Sequence, residues 1–382
     1  MCRVFGYNSR MLWTAIVYLT LSQAAQPAPR FFYPAPPEGA VDVTMNVPYG
    51  EGLQMDVYRA RGTSGPAPVL IFFNVATGAD RSNFFYRPWA EIAASQGLVA
   101  VLPDLTFEHN AREFDALVAH LTTHAGAMGI DKDAIAVYAG SGNVSRALPL
   151  LQDPSRTGVA SAVMYYGSAD IRAFRADLPV LFVRAGLDRP AVNRQIAQLV
   201  SRASNDNAPV TLINYASGYH AFEIANDSPG VRDVIDQTLA FVKQTTSAES
   251  RAVLRAGLLE AIAAGHVTAG RFGDAVSSYA GMLAARADDA RVRLSYAEAL
   301  LGNRQFAEAC AAFEPLREAQ LGPRDRGIPA ARACMQSGDA DKAVGWIASI
   351  PERFRPRELE ADPMFAPLRT RADFRALFPS RD

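Results

Sequence analysis

Three side chains spread along this chain have, between them, the chemistry of acyl transfer: Ser141, Asp188 and His220. A serine hydroxyl is too weakly acidic to attack a carbonyl unaided, so a neutral imidazole must take its proton. The imidazole becomes cationic in that step, and a carboxylate on its other nitrogen fixes the tautomer and steadies the charge. Ser141 is the candidate nucleophile, His220 the base and Asp188 the carboxylate, with Asp170 and Glu223 the nearest substitutes for the acid. Each also has a plain reading. Gly140-Ser141-Gly142 is equally a turn that joins two elements, Asp188 before Arg189-Pro190 a helix cap, and His220 an exposed loop residue. The chemical reading is favoured because all three fall just after apolar runs that read as strands.

The serine has the most informative surroundings. Residues 134–148 read AIAVYAGSGNVSRAL, an apolar run, a tight turn and the start of a helix expected over 144–151. Such a turn holds its middle residue at positive φ, pushes the hydroxyl clear of the sheet, and asks for small residues two places to either side. Ala139 and Asn143 occupy those places. The helix that follows presents a free backbone N–H and a positive dipole end.

A tetrahedral intermediate needs two N–H donors aimed at its oxyanion, and losing one costs about 2.7 to 4 kcal/mol. Gly142 supplies the first, and Val75, in the turn after the apolar run 68–74, is the candidate for the second. Asn74 either shapes the pocket with its amide or holds that turn, and Tyr219, beside the base, is a candidate substrate contact. His120 and His124 lie one helical turn apart, a spacing that suits two imidazoles on one metal. With no glutamate between them and no obvious third ligand in the sequence, they read as a solvated helix face, and no metal is expected.

The elements that must position these groups follow from the hydrophobic pattern. Residues 41–47 and 52–58 alternate as a hairpin, whereas 68–74, 98–104, 134–139, 158–167 and 178–186 are apolar on both faces, as central strands are. A further strand is expected over 210–216, and helices over 87–96, 111–125, 190–203 and 231–244. Alternating strands and helices imply an α/β fold, a mostly parallel sheet covered on both faces with an antiparallel edge, whose site lies at the carboxyl ends of the strands.

Residues 41–246 resemble the α/β-hydrolase fold, in particular its dienelactone-hydrolase-like and small-esterase members. VPYGEGLQMDVYRA, GLVAVLPDL, MGIDKDAIAVYAGSGN, LPVLFVRAGLD and GYHAF fall where that family keeps an edge hairpin, a central strand, the nucleophile turn, the acid and the base. The order Ser, Asp, His is also the family's. The resemblance implies hydrolysis of a carboxylic ester or related acyl bond through an acyl-enzyme, without a cofactor. Two departures stand out: Asn143 in the turn, and Asn74-Val75 where esterases often carry His-Gly.

Beyond residue 251 the strands stop and a 34-residue period appears. Phe272, Ala275 and Tyr279 recur as Phe306, Ala309 and Phe313, then as Ala340, Ala343 and Ile347, with Gly270, Gly302 and Gly338 marking turns. Residues 251–357 resemble tetratricopeptide repeats, and 358–382 the helical cap such arrays carry. The resemblance implies a concave face for a protein or peptide partner, or alternatively a domain that docks on the hydrolase and roofs its cleft. Cys310 and Cys334 fall on neighbouring helices, as a disulfide or as two buried thiols.

At 382 residues, 49% apolar and 20% charged, the chain has material for two domains, and its formal net charge of −1 gives no electrostatic argument for nucleic acid or an anionic membrane, neither of which is expected as a partner. Arg3 and Arg10 precede an apolar run, 11–21, and small residues at 22 and 24, the pattern of an export signal over residues 1–24 cleaved after Ala24 or Ala25. That run is about half the roughly 20 residues a membrane span requires. A proline-rich arm, 25–40, follows. The competing reading is a binding scaffold, a hydrolase fold with an impaired nucleophile turn whose work is done by the repeats.

Overall fold

The structure, a computed structural model, describes residues 30–75, 81–156 and 158–379. The expected export signal, Cys2 and residues 25–29 of the arm lie outside them. Eight strands form one sheet: β1 (Val41–Gly50), β2 (Leu53–Ala60), β3 (Ala67–Phe72), β4 (Val99–Pro103), β5 (Ile130–Gly140), β6 (Ser161–Tyr165), β7 (Val180–Ala185) and β8 (Val210–Tyr215). Their order is β1-β2-β4-β3-β5-β6-β7-β8, with β1–β2 and β2–β4 antiparallel and the remaining pairs parallel. This mostly parallel sheet with an antiparallel edge matches the α/β-hydrolase fold.

Helices cover both faces because the central strands are apolar on both. On one face α1 (Tyr86–Ser95) packs with a helix late in the domain, α5 (Pro229–Thr245), around Phe72, Trp89, Tyr138 and Leu239. On the other lie α2 (Asn110–Thr123), α3 (Val144–Leu151) and α4 (Pro190–Asn205), around Val137, Leu117, Leu148 and Ile196. The described part of the arm has no regular secondary structure and is packed: Phe31 meets Trp89 edge-on at 5.9 Å, and the Tyr33 hydroxyl donates to Asp236 at 2.6 Å.

The second domain is a stack of helix pairs: α6 (Ala248–Thr268) with α7 (Phe272–Ala285), α8 (Ala290–Gly302) with α9 (Phe306–Phe313), and α10 (Pro323–Gln336) with α11 (Ala340–Ala348). Ala275, Ala309 and Ala343 are fully buried, which lets each second helix approach its neighbours, and Tyr279, Phe313 and Ile347 fill the space four places on. One turn residue is corrected. Gly270 and Gly338 adopt positive φ as expected, but the middle turn uses Arg304, at φ +63° and in register with them. Gly302 ends α8, and a Cβ there would collide with the Phe272 ring, so its role is close packing. The closing segment seats Phe365, Leu368, Phe374 and Phe378 in the core of the last pairs. Among the described residues, no helix is long and apolar enough to cross a membrane.

The helical domain meets the sheet at the amino ends of its strands. Arg251, in the first turn of α6, donates to Asp131 at 2.6 Å, and a groove of about 810 Å3 lies between Lys132, Val159 and Asp177 on one side and Arg251, Leu254 and Leu258 on the other. Ser141 is at the opposite end, so these contacts seat the helices beneath the sheet and do not roof its cleft.

Cys310 of α9 and Cys334 of α10 form a disulfide with Cα atoms 4.8 Å apart, tying the second pair to the third. Closing a loop with a sequence separation of 24 stabilises by about 3 kcal/mol in the chain-entropy picture. Reductant, or Cys310→Ser with Cys334→Ser, should therefore lower the unfolding transition of the helical domain and leave that of the sheet domain in place, as read by calorimetry.

Candidate active site

Ser141 stands where β5 ends, in a single helical turn, Ser141–Asn143, that runs into α3. Its φ is +55°, a conformation that costs an L-residue about 1 to 3 kcal/mol and persists only where neighbours enforce it. Two contacts do so. Gly167, after β6, lies so close that a Cβ there would strike the Ser141 carbonyl and the Val144 side chain. Asn143 is buried and donates through Nδ2 to the Tyr86 hydroxyl at 2.8 Å, pinning the turn to α1. The residue that departs from the usual small pair is thus a tether. The small residue that lets the turn close is Gly167, which is remote in sequence and carries no local signal.

His220 follows β8 and points Nε2 at the Ser141 hydroxyl, 2.8 Å away. Its Nδ1 lies 2.7 Å from Oδ2 of Asp188, whose side chain is 1% exposed. The donor inventory sets the direction: the carboxylate accepts from Nδ1–H, which leaves Nε2 as the acceptor for the serine O–H. The other carboxylate oxygen, Oδ1, accepts from the Arg189 backbone N–H at 2.7 Å. Acid and base loops are tied by backbone bonds, Gly186 N–H to Tyr215 O at 2.8 Å and Leu187 N–H to Gly218 O at 2.9 Å. Helix α4 begins at Pro190 after Arg189, without a side-chain cap, so the capping reading of Asp188 is not realised. The two substitute acids lie elsewhere: Asp170 is exposed, and Glu223 is fully buried among Tyr138, Tyr166 and Trp89.

Gly142 directly follows the serine in the helical turn, and Val75, 3% exposed, directly follows Asn74 at the end of the β3 segment; residues 76–80 lie outside the described set. Asn74 is fully buried at that turn. Tyr219 is 54% exposed at the mouth, with Leu187, Phe84 and Phe107 also exposed on loops at the carboxyl ends of the strands. Arg146 of α3 stacks on Phe107 at 4.0 Å. Away from the site, the His120 and His124 rings stack at 4.2 Å, and His124 Nδ1 lies 2.9 Å from the His120 carbonyl. Burial, and then His124, hold the His120 pKa below its ordinary value. A second grouping, Cys310, Glu314 and Cys334, is spent on the disulfide.

No family model matches this chain, and no curated protein does either. Among solved structures it is similar to an esterase of the fungus Rhizomucor miehei, at 15% identity and TM-score 0.47, covering 54% of this chain and 84% of the esterase. It is similar to MGS-M1, an α/β-hydrolase enzyme from a deep-sea metagenome library of the Medee basin, at 15% identity and TM-score 0.46, covering 54% and 98%. It is also similar to brefeldin A esterase, a bacterial homologue of human hormone-sensitive lipase, at 14% identity and TM-score 0.47, covering 58% and 79%.

The packing against the serine turn has a measurable consequence. Gly167→Ala should destabilise the sheet domain by about 1 to 3 kcal/mol, the usual cost of overpacking. Gly126→Ala, where a Cβ meets open space, is the control expected to stay near wild type in urea titration.

Proposed function

We propose that this protein is an exported serine hydrolase that cleaves a carboxylic ester or related acyl bond through an acyl-enzyme, in the manner of the dienelactone-hydrolase-like branch. The observation that carries the reading is the continuous file from the Ser141 hydroxyl to His220 to the buried Asp188, at 2.8 and 2.7 Å. In this reading His220 takes the serine proton as Oγ attacks the substrate carbonyl. Asp188 holds the imidazolium in place, and the N–H groups of Gly142 and Val75 receive the oxyanion. Collapse of the intermediate expels the alcohol, protonated by His220, and leaves the acyl group on Ser141. Water, deprotonated by the same imidazole, then attacks the acyl-enzyme and releases the acid. Tyr219 and the apolar rim are the surfaces against which a small-molecule substrate would lie.

Export is supported by the Cys310–Cys334 disulfide, since such bonds persist in oxidising compartments. The helix pairs, in this reading, are tetratricopeptide-like repeats whose free surface takes a peptide or another protein. An intact nucleophile turn weighs against the scaffold alternative, in which the repeats alone would work.

A fluorophosphonate probe should label the protein at Ser141, and Ser141→Ala should abolish labelling and lower p-nitrophenyl acetate hydrolysis by roughly 10⁴- to 10⁶-fold. An unlabelled wild-type protein would leave the scaffold reading. Comparing short p-nitrophenyl esters with acyl-thioesters and peptide amides ranks the acyl bonds. Intact-mass measurement of the exported protein should place its first residue at Ala25 or Gln26.

A further inference from the structure

Next to the relay lies a second carboxyl that the proposed reaction does not use. Glu223 sits in the short helix Phe222–Ala225, directly after the base, and is fully buried. Its Oε1 accepts from the hydroxyls of Tyr138 at 3.2 Å and Tyr166 at 3.1 Å and from Trp89 Nε1 at 3.4 Å, and its Oε2 from Tyr166 at 3.1 Å. These donors come from β5, from the turn after β6 and from α1. An indole N–H only donates and both hydroxyls can, so three donors converge on one carboxyl. Burial pushes the Glu223 carboxyl up to about 7, while bonds from its own backbone, Tyr166, Tyr138 and Trp89 pull the other way. Above neutral pH the group is therefore charged. Burial, first of all, holds Tyr138, Tyr165 and Tyr166 well above the usual phenol range, so all three remain neutral hydroxyls.

The same tyrosines touch the relay. The Tyr166 ring lies 4.8 Å from the His220 ring, tilted by 56°. A Cβ on Gly140, the residue before the nucleophile, would be 3.2 Å from the Tyr138 hydroxyl and 3.6 Å from the Tyr166 ring. Backbone strain gathers here too: Ser141, Tyr166 and Ala221 all have positive φ.

We propose that Glu223 is a positioning residue for the Ser141–His220–Asp188 relay. By holding the hydroxyls of Tyr166 and Tyr138 it clamps the Tyr166 ring against His220. The proposal rests on the acyl-transfer reading above. Its electrostatic surroundings are few. His220 faces Asp188 from the β7 loop, Ser141 from the β5 turn and Tyr166 from the β6 turn, with Arg189 Nε 3.8 Å from the Asp188 carboxylate. Glu223 faces Tyr138, Tyr165, Tyr166 and Trp89, with Tyr86 beside Tyr138. The arm adds a neutral contact, the Phe32 N–H to the Glu223 carbonyl at 2.6 Å.

The test is the separate measurement of kcat and KM for p-nitrophenyl acetate hydrolysis by the full chain as wild type, Glu223→Gln and Tyr166→Phe. Glu223→Gln should lower kcat about tenfold with KM little changed, since a positioning defect acts on the attack and not on substrate binding. Tyr166→Phe keeps the ring but loses the tether, so kcat should fall here too, with KM little changed. Fluorophosphonate labelling of Ser141 should be slowed in both variants yet still reach completion. Folded variants with wild-type kcat would overturn the clamp while leaving the acyl-transfer reading intact. A wild-type protein that is not labelled at Ser141 would overturn both. Should Glu223→Gln fail to fold, Tyr166→Phe decides alone, wild-type kcat overturning the clamp.

Discussion

The close approach of Gly167 to the Ser141 carbonyl is the constraint on which the site depends. An L-residue gives up a left-handed backbone unless its neighbours exclude the alternatives. Here β5 and β6 run parallel and end side by side, which brings the turn after one against the turn after the other. The absent Cβ of Gly167 leaves room for the serine carbonyl, the Asn143–Tyr86 bond holds the next turn of chain, and the hydroxyl is left facing His220. Local strain at one residue is thus borne by the register of the whole sheet.

A second consequence of the parallel sheet is the division of labour between its two ends. Carboxyl ends of β5, β7 and β8 carry the serine, the acid and the base, and the acid and base loops are bonded backbone to backbone. The amino ends carry the helical domain, through Arg251 and Asp131. The helices are held together by their own means: small residues at the crossing points, large ones between pairs, and a disulfide across the second and third pairs. The site and this junction are therefore separate structural problems, each solved at its own end of the strands.

The aromatic floor connects site and core. Tyr138 and Tyr166 belong to the same buried cluster as Trp89 and Phe222, and all surround the Glu223 carboxyl. A buried acid in such surroundings is stable only if its acceptors are satisfied. The cluster satisfies them, and one of its rings, Tyr166, packs on the His220 imidazole.

Much of this was legible in the residues alone. Apolar runs with regular breaks specify strands and helices through local hydrophobic period, and three registers of a 34-residue period specify the helix pairs, because these patterns lie within a few turns of chain. The serine turn was legible for the same reason. Whether Asp188, Asp170 or Glu223 serves His220 was not, because the choice depends on how strand ends are spaced in the finished sheet, and Asp188 and His220 are 32 residues apart. Gly167 and the Asn143–Tyr86 tether were equally hidden, as was the left-handed turn at Arg304, where packing of Phe272 onto Gly302 moved the glycine away from the turn. Composition and periodicity determine which elements form; which atoms then meet is decided by packing between segments distant in sequence, a geometry that no local pattern encodes.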